Sequence, residues 1–391
     1  MNLLTALILV LAQDFDPAKL EAIGPGMKGF VERKQAAGVV TLVGRRDGVV
    51  HHEAAGLRNL ESAAPMEPDT IFQIASMTKP VTGMAIAMLE DEGKLSVDDP
   101  VEKHLPEFKG QLLVKSKTAE ETVLVKPPRP ITIRDLATHT GGQPGGPPPG
   151  LSDLYTRRHL TLAEATFAYS QMPLQFEPGA KWAYSNAGID TLGRIVEVAS
   201  GMSFESFLET RLFRPLGMKD TFFYPTEATL PRVATLYKKA GDGLAPAKNF
   251  LGSPVGGKFP LPAGGLFSTA PDMARICRLM LAKGVWEGKR ILSEAGVEGM
   301  TRVLTGELKC GFTDQIGMGL GWQVVRTPAG PTAALSPGSY GHGGAFGTQY
   351  WIDPVKGTFT IMLVAREGFG NGDASDLRRT LQELALAALK K

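Results

Sequence analysis

Strand-like segments lie at both ends of this chain of 391 residues, and the long segment between them is mostly helical in pattern. Near the N-terminus, Gly38 to Val50 predicts a β-hairpin around the turn residues Asp47 and Gly48. Near the C-terminus, residues 347–353 and 358–364 predict two further strands joined by a turn. We therefore expect one antiparallel sheet built from both chain ends, with a helical insertion between them.

This pattern predicts a fold of the α/β (α+β) class with two domains. The sheet domain comprises residues 13–100 and 285–391, and helices from both chain ends flank its sheet. The inserted domain comprises residues 101–284 and is mostly helical, with connections rich in proline and glycine.

Residues 1–12 contain an apolar run that is too short to span a bilayer. The run predicts a cleaved signal peptide and a secreted or periplasmic protein without stable membrane insertion, although no Lys or Arg precedes it. The alternative is an N-terminal helix packed on the body of the protein.

Composition bears on the partners and on the disulfide content of the protein. A net charge of +2 gives no reason to expect nucleic acid, and 43% hydrophobic residues are typical of a soluble globular protein. Two cysteines, Cys277 and Cys310, do not make a disulfide framework, although they could pair. The oligomeric state stays open.

A serine with a lysine three residues later, Ser76 and Lys79, precedes an apolar segment that reads as a buried helix. Residues three apart lie on one helix face, so the Lys79 amine would stand close to the Ser76 hydroxyl. A hydroxyl needs an adjacent base to become a nucleophile, and burial can keep a lysine neutral for that role. The alternative is an ordinary solvated helix face.

A second candidate is the group Tyr184-Ser185-Asn186, at the start of a predicted helix. A phenol near a cation can relay a proton, and the Asn186 amide could bond a substrate carbonyl and hold Lys79. The alternative is a helix cap at Ser185 or Asn186 with Tyr184 packed behind it.

The third candidate, His342-Gly343-Gly344-Ala345, lies just before a predicted strand. Glycine lets a strand backbone approach a substrate, and the N–H groups of Ser76 and Ala345 would then form an oxyanion hole. His139 with Gly141 is a competing His-x-Gly pattern, but it offers no strand edge, and we favour His342. The other histidines lack the spacing of metal ligands.

In this order, Ser-x-x-Lys, Tyr-x-Asn and His-x-Gly resemble the penicillin-recognising serine hydrolases. That family includes class C β-lactamases, D-alanyl-D-alanine carboxypeptidases, D-aminopeptidases and family VIII carboxylesterases. The resemblance extends over nearly all of the chain from Lys19 to Leu389, and further similar stretches are Ile131 to Gly142, Phe176 to Gly188, Arg214 to Thr221, Ala263 to Ala274 and Gly343 to Pro354.

The resemblance implies a β-lactamase/transpeptidase-like fold and an acyl-enzyme on Ser76, with no metal or cofactor. It implies that Lys79 and Tyr184 share the acid–base role and that Asn186 orients substrate. It also implies that His342, Gly343 and Gly344 form the edge strand, and that Ser76 and Ala345 supply the oxyanion N–H groups.

One departure from the family pattern concerns the substrate. Class C β-lactamases have a lysine where this chain has His342, and a histidine is mostly neutral at pH 7. We therefore expect a carboxylesterase for small or medium esters, whose partner is a small-molecule ester or amide substrate. The alternatives are a β-lactamase or D-amino-acid peptidase, an acyltransferase, and a non-catalytic relative that binds peptidoglycan.

Overall fold

The computed structural model describes residues 14–252, 255–311, 313, 315–369 and 375–390. The signal peptide predicted at residues 1–12 lies outside this described part of the chain. No helix in these ranges combines the length and the apolarity that crossing a membrane requires.

Short and long strands alternate with helices along the described chain. The strands are β1 (Gly38–Arg45), β2 (Gly48–Asn59), β3 (Ala64–Pro65), β4 (Phe72–Gln73), β5 (Leu113–Lys117), β6 (Thr122–Val125), β7 (Tyr237–Ala240), β8 (Gly243–Pro246), β9 (Phe267–Ser268), β10 (Val285–Trp286), β11 (Lys289–Arg290), β12 (Ile316–Met318), β13 (Gln323–Val325), β14 (Tyr340–Gly343), β15 (Gln349–Asp353) and β16 (Thr358–Val364). The helices are α1 (Pro17–Leu20), α2 (Ile23–Glu32), α3 (Thr78–Asp91), α4 (Val101–His104), α5 (Ile133–Ala137), α6 (Leu154–Arg157), α7 (Leu162–Ser170), α8 (Asn186–Ser200), α9 (Phe204–Leu208), α10 (Arg214–Leu216), α11 (Ala270–Leu281), α12 (Glu294–Thr301) and α13 (Asp376–Ala387).

The central sheet has eight strands in the order β12-β13-β14-β15-β16-β1-β2-β3, and all neighbours are antiparallel. The N-terminal hairpin joins the C-terminal strands through β1 and β16, where Val39 pairs with Val364. The prediction of one antiparallel sheet built from both chain ends is therefore confirmed.

Helices cover both faces of this sheet, and β1 is accordingly apolar on both sides. Val39 and Val43 share a buried cluster with residues of α2 and α13. Val40 and Leu42 belong instead to the large core cluster on the other face, where α11 packs against β1 and β16. The long buried helix α3 belongs to that second core and leads directly to the site.

Three local features of the structure go beyond what the sequence pattern predicts. The helix α2 runs through Pro25 without interruption, because proline is tolerated in the first turn of a helix. The middle segment contains two hairpins, β5 with β6 and β7 with β8, besides its helices. Cys277 and Cys310 are both buried free thiols.

The domain boundaries at residues 100 and 284 stay a prediction. The eight-stranded sheet takes its strands from residues 38–65 and 316–364, which lie inside the segments assigned to the sheet domain. The helix α11 precedes residue 284, yet it packs against the sheet strands β1, β15 and β16.

Candidate active site

Ser76 lies in a single 3-10 turn, Ala75–Met77, that runs directly into α3. Ala75 adopts φ 48, a left-handed conformation that is unusual for a residue with a side chain. The Thr78 hydroxyl donates to the Ala75 carbonyl at 2.7 Å and supports this turn. The serine therefore precedes the helix on a strained, well-anchored turn, whereas the sequence placed it on the helix itself.

The Lys79 amine lies completely buried on the first turn of α3. Its Nζ donates to three oxygens: Ser76 Oγ at 3.1 Å, Asn186 Oδ1 at 2.8 Å and the Ala263 carbonyl at 2.6 Å. All three partners accept a hydrogen bond, so the amine is held in one orientation with Ser76 within reach.

Burial changes the protonation of this amine. Loss of solvent lowers the pKa of Lys79 from 10.5 to about 7, against the opposing field of the buried carboxylate Asp190. A large share of the molecules therefore holds Lys79 neutral near pH 7. A neutral amine has a lone pair with which to take the Ser76 proton.

Tyr184 approaches the same hydroxyl from the inserted segment. Its phenol donates to Ser76 Oγ at 2.8 Å, and the Lys79 Nζ lies 4.6 Å from the centre of its ring. The next residue, Ser185, caps α8 by accepting from the Gly188 N–H, and this cap places Asn186 at the first turn of the helix. The hydrogen bonds thus bring Ser76, Lys79, Tyr184 and Asn186 together.

His139, the competitor that we set aside, lies behind this group. Its ring packs against the Tyr184 ring with a centroid distance of 4.6 Å, and its Nδ1 accepts from the Ser185 N–H at 3.2 Å. Complete burial holds the pKa of His139 well below 6.5, so the ring is neutral. Sequence reasoning assigned it no role, yet it supports the Tyr184 segment from behind.

His342 lies within β14, although the sequence placed it just before a strand. The prediction that these residues form an edge strand is wrong for β14 as a whole, because β14 is the third strand of the sheet and pairs on both sides. The neighbouring strand β13 pairs no further than Gly341, and residues 342–344 extend past its end. His342 is completely buried and its pKa falls to about 3 through loss of solvent and the nearby Lys79.

Gly344 lies against Ile74, the residue just before the turn that carries the serine. Thr348 fastens this contact: its main-chain carbonyl accepts from the Gly344 N–H at 2.7 Å, and its hydroxyl donates to the Ile74 carbonyl at 2.9 Å. A Cβ on Gly344 would stand 2.3 Å from that Ile74 oxygen. Only glycine permits such an approach between the end of β14 and the main chain that leads into the Ser76 turn.

Two members of the site were missed. Ala263 holds Lys79 through its main-chain carbonyl, so no side chain marks it in the sequence. Asp190 is a fully buried carboxylate one helical turn after Asn186 on α8, and it accepts from the Ala263 N–H at 2.9 Å. A charged residue on an otherwise apolar helix face was the available signal.

The assembled site offers proton transfer around one hydroxyl. Ser76 Oγ accepts hydrogen bonds from an amine and a phenol, and both groups can exchange protons with it. In the described part of the chain, no three His, Cys, Asp or Glu side chains cluster as metal ligands would.

Comparison with known proteins gives one family. A family model described as Beta-lactamase matches residues 26–385. Protein Rv1367c of Mycobacterium tuberculosis is 34% identical over 349 residues, which are 84% of this chain and 85% of that protein. Esterase EstB of Burkholderia gladioli is 28% identical over 379 residues, which are 88% of this chain and 89% of that protein.

A solved structure confirms the predicted β-lactamase/transpeptidase-like fold. It is that of EstCE1, described as a hydrolase with promiscuous acyltransferase activity. It superimposes with a TM-score of 0.79 at 24% identity and covers 95% of this chain and 99% of its own.

Proposed function

Since this chain belongs to the beta-lactamase family of serine hydrolases, we propose that it is a carboxylesterase acting through an acyl-enzyme on Ser76. The substrates are small or medium carboxylic esters. The observation that carries this choice is the buried, neutral His342, because it supplies no positive charge for a substrate carboxylate.

Acylation begins when Ser76 Oγ attacks the ester carbonyl carbon and forms a new C–O bond. Neutral Lys79 keeps its two N–H groups on Asn186 and Ala263, and its lone pair takes the hydroxyl proton over the 3.1 Å contact with Ser76 Oγ. The carbonyl π electrons move to oxygen, and the N–H groups of Ser76 and Ala345 receive this oxyanion. When the intermediate collapses, the ester C–O bond breaks and Tyr184 donates the proton that the leaving alcohol needs.

Deacylation reverses these roles with water as the nucleophile. The Tyr184 phenolate left by acylation accepts a proton from water as the water oxygen bonds to the acyl carbon, while Lys79 still holds the proton taken from Ser76. Ser76 leaves with the returning proton, and the carboxylic acid is released. Asn186 keeps the amine oriented through both halves, because its side-chain oxygen accepts from Lys79 Nζ at 2.8 Å.

The charge at residue 342 decides between esters and β-lactams. A β-lactam carries a carboxylate, which a cationic lysine at this position would attract. His342 has its pKa at about 3, so its ring is neutral at every pH at which Lys79 is a base. The name of the similar protein EstB, an esterase, supports the same choice.

Two chromogenic substrates test the proposal. We expect the purified protein to cleave p-nitrophenyl butyrate and to turn nitrocefin over slowly or not at all. Strong nitrocefin turnover with negligible ester cleavage would favour the β-lactamase alternative and refute the esterase. Product analysis with an added alcohol or amine acceptor separates hydrolysis from acyl transfer.

The nucleophile is tested separately from the substrate. We expect Ser76→Ala to abolish ester cleavage while its thermal unfolding stays cooperative. A phosphonate ester should leave its covalent adduct on Ser76 in the wild type, as located by peptide mass spectrometry. Activity in the Ser76→Ala variant, or an adduct on another residue, contradicts the assignment.

A further inference from the structure

We propose that Asp190 is a positioning residue for the base, holding Ala263 so that its carbonyl directs the Lys79 amine toward Ser76. This inference deepens the proposed function and rests on it only for the role of Lys79 as base. The proposal explains why a carboxylate, Asp190, is buried beside the site although it takes no part in the reaction steps.

The first observation is a continuous hydrogen-bonded chain. Lys79 Nζ donates to the Ala263 carbonyl at 2.6 Å, and the Ala263 N–H donates to Asp190 Oδ1 at 2.9 Å. One residue therefore faces the amine with its oxygen and the carboxylate with its nitrogen. Any displacement of Asp190 moves the carbonyl that orients the base.

The second observation is how firmly Asp190 itself is held. Its Oδ2 accepts from the phenols of Tyr155 on α6 and Tyr169 on α7, at 3.3 Å and 3.2 Å. With the Ala263 N–H, the carboxylate has three donors and no exposure to solvent. A buried carboxylate is costly unless it is paired, and here its donors come from three separate segments.

The third observation is that one rigid element serves the amine twice. The helix α8 places Asn186 and Asp190 four residues apart, on the same face. Asn186 accepts from Lys79 directly, whereas Asp190 reaches it through Ala263. Close packing also fixes the distance between α8 and the segment that contains Ala263. A Cβ on Gly193 of α8 would stand 2.3 Å from Cγ of Pro262, the residue before Ala263.

Asp190 is also the carboxylate whose field reaches the buried amine. The groups that face Lys79 are Asp190 from α8, Tyr184 and His139 from the loops, and His342 from β14. Both histidines stay neutral, because burial holds the pKa of each well below 6.5. Burial also raises the pKa of Asp190 to about 7, so this carboxyl and the Lys79 amine change charge in the same pH range. Where Asp190 is charged it holds the proton on Lys79, and its replacement by a neutral side chain therefore favours the neutral amine.

Two substitutions at this position separate charge from position. Asp190→Asn keeps the shape and loses the charge, and we expect the acidic limb of kcat/KM to move to lower pH. Asp190→Ala also loses the anchor, and we expect kcat at the plateau to fall about 100-fold with KM little changed. Asp272→Asn is the matched control, because this buried carboxylate bonds Thr221 and lies outside the Lys79 network.

An unchanged pH profile in Asp190→Asn, or a shift as large in Asp272→Asn, overturns the proposal. Thermal unfolding adds a readout that needs no turnover. We expect Asp190→Asn to lower Tm less in a Lys79→Met background than in the wild type, because the two residues share Ala263. Additive losses contradict the coupling. A wild type that cleaves no ester refutes the proposed function, while the unfolding measurements still test Asp190.

Discussion

Replacing Gly344 by alanine tests whether the close approach of two backbones builds the oxyanion hole. The added Cβ would stand 2.1 Å from Thr348 Oγ1 and 2.3 Å from the Ile74 carbonyl oxygen. The threonine hydroxyl can rotate away. The Ile74 oxygen cannot, because it belongs to the main chain two residues before Ser76.

The size of the effect follows from this second contact. Real Cβ atoms essentially never come within 3.0 Å of another heavy atom, so the two segments must separate by at least about 0.7 Å. Displacement of a positioned group by about 1 Å costs about 100-fold in rate. Loss of one oxyanion donor costs about 100- to 1,000-fold. We therefore expect kcat to fall about 100-fold, which corresponds to about 2.7 kcal/mol of transition-state stabilisation.

The assay is the steady-state cleavage of p-nitrophenyl butyrate, with KM measured alongside kcat. Gly299→Ala is the matched control, because a Cβ there meets nothing within 4 Å and alanine suits the interior of α12. We expect the control to retain full kcat. A Gly344→Ala variant with wild-type kcat and a cooperative unfolding transition would refute the steric argument and the placement of the oxyanion hole.

Two further predictions concern pH and substrate size. Because burial lowers the pKa of Lys79 to about 7, kcat/KM should rise about tenfold per pH unit below pH 7 and level off above it. A profile centred near the ordinary lysine pKa of 10.5 would exclude Lys79 as a buried neutral base. Phe250 is 45% exposed and its ring contacts that of Phe346 at 5.2 Å, one residue beyond Ala345. We expect Phe250→Ala to raise kcat/KM for p-nitrophenyl decanoate relative to the butyrate by about tenfold, and an unchanged ratio would place this ring outside the acyl site.

The sheet could be predicted because its strands carry a strong pattern. The strands β1 and β16 are almost continuously apolar, since helices cover both faces of the sheet. The hairpin of β5 and β6 was missed because it lies on the surface, where most of its residues are exposed and no alternation is needed. Surface strands of four or five residues leave little trace in a sequence.

Ser76 and Lys79 could be predicted to meet because they lie three residues apart at the start of a helix, and the resemblance to the family added Tyr184 and Asn186. The residues that hold those side chains in place could not be predicted from the sequence. Ala263 acts through backbone atoms, and His139 acts by packing against Tyr184 from another segment. The carboxyl group of Asp190 among apolar neighbours marks it as unusual in the sequence, but only the fold shows that it is buried against Ala263.

His342 illustrates how burial, rather than residue type, determines chemistry in this site. A histidine in water changes its charge near pH 6.5, so the residue type alone does not decide whether the ring is a cation or neutral. Strand β14 holds this ring without solvent contact, and its Nδ1–H donates to the Gly343 carbonyl at 2.6 Å. The same loss of solvent that makes Lys79 available as a base therefore keeps His342 neutral. A substrate that depends on a cation at residue 342 is disfavoured by the very burial that activates Ser76.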